Sequence, residues 1–159
     1  MTLLAILKYP HPLLRRKAIK IKNPLEPQIQ ALIPRMIEAM KKGNGLGLAA
    51  PQVGKSLRLC IVGEEKKVYV LINPSIKSCS RKKVFMEEGC LSFPGKFFLI
   101  SRPEAVKVRY LDETGKKAKI KAQGLLARTL QHEIDHLDGI LVIDRAKKKK
   151  AISYQKVKK

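Results

Sequence analysis

The sequence predicts a single domain of α+β class, and three observations carry that prediction. Apolar residues recur at helical spacing from Leu25 to Met40. Apolar and polar residues alternate on both sides of a turn between Val106 and Ala122. A second helical stretch, bounded by Gly124 and Gly139, contains Gln131-His132-Glu133-Ile134-Asp135-His136. At 159 residues and 45% apolar composition, the chain is long enough to bury about 68–70% of its unfolded surface in one core.

Taken in order, the chain opens on a short apolar run, Met1 to Leu7. It lacks a preceding basic segment and an evident cleavage site, so it reads as mature protein. No apolar run approaches the roughly 20 residues a bilayer-crossing helix needs, and no membrane partner is expected. Tyr9-Pro10-His11-Pro12 is an extended or turn segment, because proline disfavours helix in the residue before it. His11 there is structural or exposed. In the first helix Ile29, Leu32, Ile33, Met36, Ile37 and Met40 share one face. Pro34 sits inside it, where an interior proline costs about 3 kcal/mol, so a bend or a later start is expected.

Gly43-Asn44-Gly45 ends that helix. The small residues of Gly45-Leu46-Gly47-Leu48-Ala49-Ala50-Pro51-Gln52 admit a close neighbour, and tight packing or a substrate edge would use them equally well. No Gly-Lys-Ser/Thr follows, which excludes a phosphate loop. Leu57–Val62 and Val68–Ile72 read as buried strands around a turn at Gly63-Glu64-Glu65. Cys60 falls in the first as a core residue; Cys79 has no assigned role. In Glu87-Glu88-Gly89-Cys90-Leu91-Ser92-Phe93-Pro94, Cys90 occupies a non-regular segment able to aim a side chain into a site, or to pack inertly. Val106, Val108 and Tyr110, then Ala118, Ile120 and Ala122, form the two apolar faces of a hairpin.

The second helix carries the chemistry. Residues i and i+4 are neighbours on one helix face, so His132 and His136 can converge on one metal ion. At about 100° per residue, Glu133 and Asp135 flank the pair on opposite sides. One carboxylate can serve the reacting water while the other holds a ring N–H or anchors the helix; the wheel does not say which. Two side chains leave the ion incomplete. Cys60, Cys79 and Cys90 are too few and scattered for a disulfide framework, which favours a reducing cytoplasm and leaves a thiol available. Cys90 is the best third ligand, since the downstream ligand of a zinc endopeptidase is missing.

Net charge is +21, and Arg145 to Lys159 is basic without an acid. Such a field suits RNA, or simply a solvated lysine-rich surface. Residues 1–146 are taken as the main domain and 147–159 as a short basic helix or tail.

Gly45 to Gln52, Glu88 to Ser92 and Gln131 to His136 together resemble the three signature motifs of the peptide deformylases. Their order and separation fit the bacterial type, and the likeness extends from Leu7-Lys8-Tyr9-Pro10 to Asp144. The resemblance implies antiparallel strands packed around a central H-E-x-x-H helix. It also implies a hydrolase that removes the formyl group from N-formyl-methionyl nascent peptides, releasing formate. Cys90, His132 and His136 would hold one divalent metal, natively Fe(2+), with Zn(2+), Ni(2+) or Co(2+) as substitutes. Glu133 matches the catalytic acid/base, and Gln52 and the backbone N–H of Leu91 match the groups that hold the carbonyl oxygen. Leu46, Gly47 and Gly89, with Leu125 and Thr129, match positions beside the substrate. Asp135, free of a chemical task, is expected to pair with Arg102. The chain departs from many relatives at Pro34, at Phe97 where some carry arginine, and at Arg128, whose charge would disturb a methionine pocket if turned inward. The basic C-terminus is expected to favour the ribosome or its RNA.

Overall fold

The structure, a computed structural model, describes residues 2–146. Alternation in the middle of the chain builds an antiparallel sheet of five strands: β1 (Gly47–Ala49), β2 (Leu59–Glu64), β3 (Lys67–Cys79), β6 (Ala105–Leu111) and β7 (Lys117–Gln123), in the order β1-β2-β3-β6-β7. Between β3 and β6 the chain leaves the sheet to form a separate two-stranded ribbon, β4 (Lys83–Cys90) and β5 (Phe93–Pro103). The helices are α1 (Pro27–Lys42), α2 (Gly124–Leu137) and the short α3 (Val142–Arg145).

Because side chains alternate along a strand, the sheet has two apolar faces. Leu59, Ile61, Val70 and Ile72 pack against Ile29, Leu32, Ile33 and Met36 of α1. Cys60, Val62, Leu71, Val106, Val108 and Ile120 pack against Ala127, Leu130, Ile134 and Leu137 of α2. A third cluster joins Phe93, Phe98 and Ile100 of the ribbon to Leu14, Leu141 and Val142. With core on several sides, α2 is buried continuously from Ala127 to Leu137. That burial removes its polar side chains from water and commits each to a protein partner or to the site.

Some expectations change and others are met. The first helix starts at Pro27 and runs through Pro34 to Lys42. Pro34 lies on the exposed side, where the carbonyl it leaves unbonded can turn to water. The segment around Cys90 is not irregular: Cys90 ends β4, with a register shift between Gly89 and Cys90 in its pairing with β5. Such a bulge re-aims a side chain at the end of a strand. β3 continues to Cys79, well beyond the expected Ile72. His11 is exposed and caps a 3-10 turn by accepting the Leu13 N–H. No helix among the described residues is long and apolar enough to cross a membrane. The basic helix or tail expected at 147–159 lies outside the described residues.

Candidate metal centre

Two elements bring together three side chains that could hold a metal ion. α2 presents His132 and His136, and the end of β4 presents Cys90. The ligand atoms of Cys90, His132 and His136 lie within 4.8 Å of one another, and Cys90 Sγ is 3.3 Å from His136 Nε2. Around a tetrahedral ion, with bonds of about 2.3 Å to sulfur and 2.0–2.1 Å to nitrogen, neighbouring ligand atoms stand roughly 3.4–3.6 Å apart. The trio fits one ion. The soft thiolate with two imidazoles also suits a transition metal rather than calcium or magnesium.

Behind the histidines lies a buried ion network with Glu88 at its centre. Arg102 donates to Glu88 through Nε (2.6 Å) and Nη2 (3.0 Å), and Arg128 donates through Nη1 (2.5 Å). Glu88 Oε1 is 3.0 Å from His132 Nδ1. With that nitrogen as the donor, Nε2 is left free to ligate. Burial works to raise the Glu88 pKa, but the bonds from His132 and Arg102 outweigh it and hold the carboxyl at about 2. Arg102 also donates to Asp135 (2.8 Å), the pairing expected from sequence, and Arg145 adds bonds of 2.9 and 2.6 Å to the same carboxylate. Asp135 therefore anchors α2, and the ring N–H of His132 goes to Glu88 instead. No pattern in the sequence assigns Glu88 a role. Its only local signal is an acid two residues before the cysteine.

Glu133 is in a different environment. It is 3% exposed, its Oε1 has no hydrogen-bond partner among the described residues, and burial raises its pKa to about 7. A β-carbon at Gly47 would stand 2.6 Å from Glu133 Oε2, so the first motif meets the carboxylate through a position that admits no side chain. Burial disfavours the cationic form of His132, but Glu133, Cys90 and Glu88 outweigh it and hold the pKa well above the ordinary value. Burial, then the charge of His132, push His136 well below it.

These groups reach a cleft of about 600 Å³ bordered by Leu46, Gly47, Gln52, Gly89, Cys90, Leu91, Leu125, Thr129, His132 and Glu133. His136 lies deeper, at 1% exposure. Gln52 accepts the Ala49 N–H at 2.9 Å and points its amide at Ser92 Oγ (3.1 Å) and Cys90 Sγ (3.6 Å). Leu46 and Leu125 are each 53% exposed and make an apolar rim. Phe97 lies over Gly89, where a β-carbon would come 2.9 Å from its ring. Arg128 borders the cleft but does not place its charge there, because its guanidinium is committed to Glu88, Ile100 O and Val84 O. Thr129 turns its hydroxyl back onto Leu125 O. Sequence reasoning also missed the N-terminal strap: the Leu7 N–H donates to Gln52 O, Lys8 Nζ to Leu91 O and the Tyr9 N–H to Ser92 O. The strap ties the first motif to the second.

The chain is similar to known proteins over most of its length. The family model described as polypeptide deformylase matches residues 3–151. The peptide deformylase of Thermodesulfovibrio yellowstonii is 49% identical over 150 residues, covering 91% of this chain and 90% of its own. That of Dictyoglomus turgidum is 42% identical over 154 residues, covering 97% of this chain and 99% of its own. Among solved structures, the peptide deformylase of Thermotoga maritima superposes with TM-score 0.88 at 38% identity, covering 91% of this chain and 98% of that one. The Ehrlichia chaffeensis enzyme in complex with actinonin gives 0.88 at 40% identity, covering 91% and 89%.

Proposed function

The chain belongs to the polypeptide deformylase family, and from that premise we propose how the residues of its cleft divide the reaction. The enzyme is a metal-dependent hydrolase that removes the N-formyl group from newly synthesised polypeptides and releases formate. Cys90, His132 and His136 hold the metal. A divalent ion in such a site supplies Lewis acidity and lowers the pKa of water toward ~7.

The chain's own groups supply the rest. Glu133 takes the proton of the attacking water and delivers it to the departing amide nitrogen, a role worth roughly 10²–10⁴-fold. A carboxylate titrating near neutrality suits both directions of that transfer. The Gln52 amide and the Leu91 N–H receive the developing charge on the formyl oxygen, where losing one donor typically costs about 10²–10³-fold. Glu88 fixes the His132 ring and its tautomer. Leu46, Gly47, Gly89, Leu125 and Thr129 border the peptide, and the committed guanidinium of Arg128 leaves an apolar methionine pocket intact.

The observation that carries the assignment is the convergence of Cys90 Sγ with the two ring nitrogens beside the buried Glu133, whose Oε1 has no hydrogen-bond partner among the described residues. Ferrous-loaded protein given formyl-Met-Ala-Ser should release one formate and one Met-Ala-Ser. Cleavage within the peptide instead would indicate an endopeptidase, and no turnover would contradict both.

Fe(2+) is the proposed native ion, with Zn(2+), Ni(2+) and Co(2+) as substitutes. Metal analysis of protein purified without oxygen decides the point. Residues 1–146 form the proposed catalytic unit, working in the cytoplasm, where Cys90 stays reduced. The basic segment 147–159 favours the ribosome surface, so its deletion should weaken ribosome association while sparing turnover of free peptide.

A further inference from the structure

One face of the five-stranded sheet is only half covered. Leu59, Ile61, Val70 and Ile72 on β2 and β3 lie under α1, and on β6 only Leu111 at the strand's end joins that cluster. The rest of this face on β6 and β7 carries Lys107, Arg109, Lys117, Lys119 and Lys121, all exposed. Their neighbours Val106, Val108, Ile120 and Ala122 point the other way, under α2.

The register sets like charges directly opposite one another: Lys107 faces Lys121, and Arg109 faces Lys119. Like-charge cross-strand pairs destabilise a sheet. Among the described residues none of the five cations is ion-paired. Some cations elsewhere do have an acidic partner, as Arg15 with Asp144, Arg58 with Asp138 and Lys82 with Glu104. Nor does the segment outside the described residues complement the patch, because it too is basic.

From this we propose that the open face of β6–β7 is a docking surface for the phosphate backbone of duplex RNA, separate from the basic C-terminal segment. Ranks of cations repeat about every 7 Å along two strands about 4.8 Å apart, a flat grid of positive charge within a chain of net charge +21. A dense polyanion gains most from such a grid, through counterion release. The face carries no aromatic side chain on which unpaired bases could stack: Tyr110 packs on the α2 side. That favours a duplex, bound through its backbone without sequence preference, over a single strand. Large apolar side chains, which a membrane-surface site would insert, are also missing from the exposed part.

The test uses the full chain and a duplex RNA of about 16 base pairs, titrated by anisotropy across a salt series. The variant K107Q/R109Q/K119Q/K121Q removes four contacts. On a duplex slope of about −0.9 per contact, wild type should lose roughly 150-fold more affinity than the variant between 50 and 200 mM salt. A control, K17Q/K20Q/K22Q/K55Q, removes the same charge elsewhere on the exposed surface and should stay near the wild-type slope. Formate release from free peptide should be unchanged in both. Equal losses in variant and control, no duplex binding by wild type, or tighter binding to single-stranded RNA, polyglutamate or anionic vesicles would each overturn the proposal. Ultraviolet crosslinking of unaltered protein to the duplex gives a reading independent of variant folding. Adducts on β6 and β7 are expected, and adducts confined to residues 147–159 would overturn it.

Discussion

Replacing Glu88 by glutamine tests the network behind the proposed metal ligands. The substitution keeps the shape and an acceptor for the His132 N–H, and removes one charge at a residue 6% exposed. Its cost can be worked in two ways. The carboxyl titrates at about 2 in the folded chain instead of the ordinary 4.5, and a shift of that size corresponds to about 3 kcal/mol. Independently, removing one member of a buried ion cluster typically costs about 3–5 kcal/mol, because the remaining charges stay buried. Arg102 would keep Asp135 at 2.8 Å, but Arg128 would keep only carbonyl oxygens, so the lower figure is the better expectation. For a domain of this size about 3 kcal/mol lowers Tm by roughly 10 °C. The sign with pH follows from the depressed pKa: the contribution is present above pH 4.5 and is lost as pH falls toward 2. Urea unfolding of metal-free protein at a series of pH values measures both. Wild type should lose about 3 kcal/mol across the acid range, the variant should start lower and show a flatter acid limb, and metal affinity should fall about 10–100-fold. A variant within 1 kcal/mol of wild type at pH 7, with an unchanged acid limb, would refute the reasoning.

Glu133→Gln should cut formate release by roughly 10²–10⁴-fold while one metal per chain is retained; loss of the metal would make Glu133 a structural residue instead. Because burial places the Glu133 carboxyl at about 7 and the base must be ionised to accept a proton, kcat/KM should fall as pH drops through about 7, and a flat profile from pH 5 to 8 would contradict this. Gly47→Ala sets a methyl where a β-carbon meets Glu133 Oε2 at 2.6 Å, and a displacement near 1 Å can cost about 10²-fold. Turnover should fall on that scale with metal content unchanged, and wild-type turnover would show that Glu133 is free to move.

Local patterns made much of this molecule legible, and contacts between distant residues hid the rest. α2 was readable because Gly124, Gly139 and the histidine spacing lie within one stretch of chain. Asp135 could be paired with Arg102 because an acid beside two ligands, with no task of its own, needs a cation. β4 and β5 were not readable as strands: Phe85 and Met86, adjacent in sequence, are both exposed, at 50% and 38%, so the ribbon lacks the alternation of a strand with one buried face. Glu88 sits in plain view in the second motif, but its partners Arg128 and His132 are 40 and 44 residues away. The same distance left the direction of Arg128 open, since the carboxylate that holds its guanidinium lies 40 residues away. Lys8 bonds to Leu91, 83 residues along the chain, and no local pattern signals that strap.

X-ray absorption at the metal edge of the loaded, resting enzyme tests the centre itself. One sulfur at about 2.3 Å and two imidazole nitrogens at about 2.0–2.1 Å are expected, with the sulfur shell lost in Cys90→Ser. A shell of nitrogen and oxygen alone in the wild-type protein would contradict the assignment of Cys90 and, with it, the proposed deformylating centre.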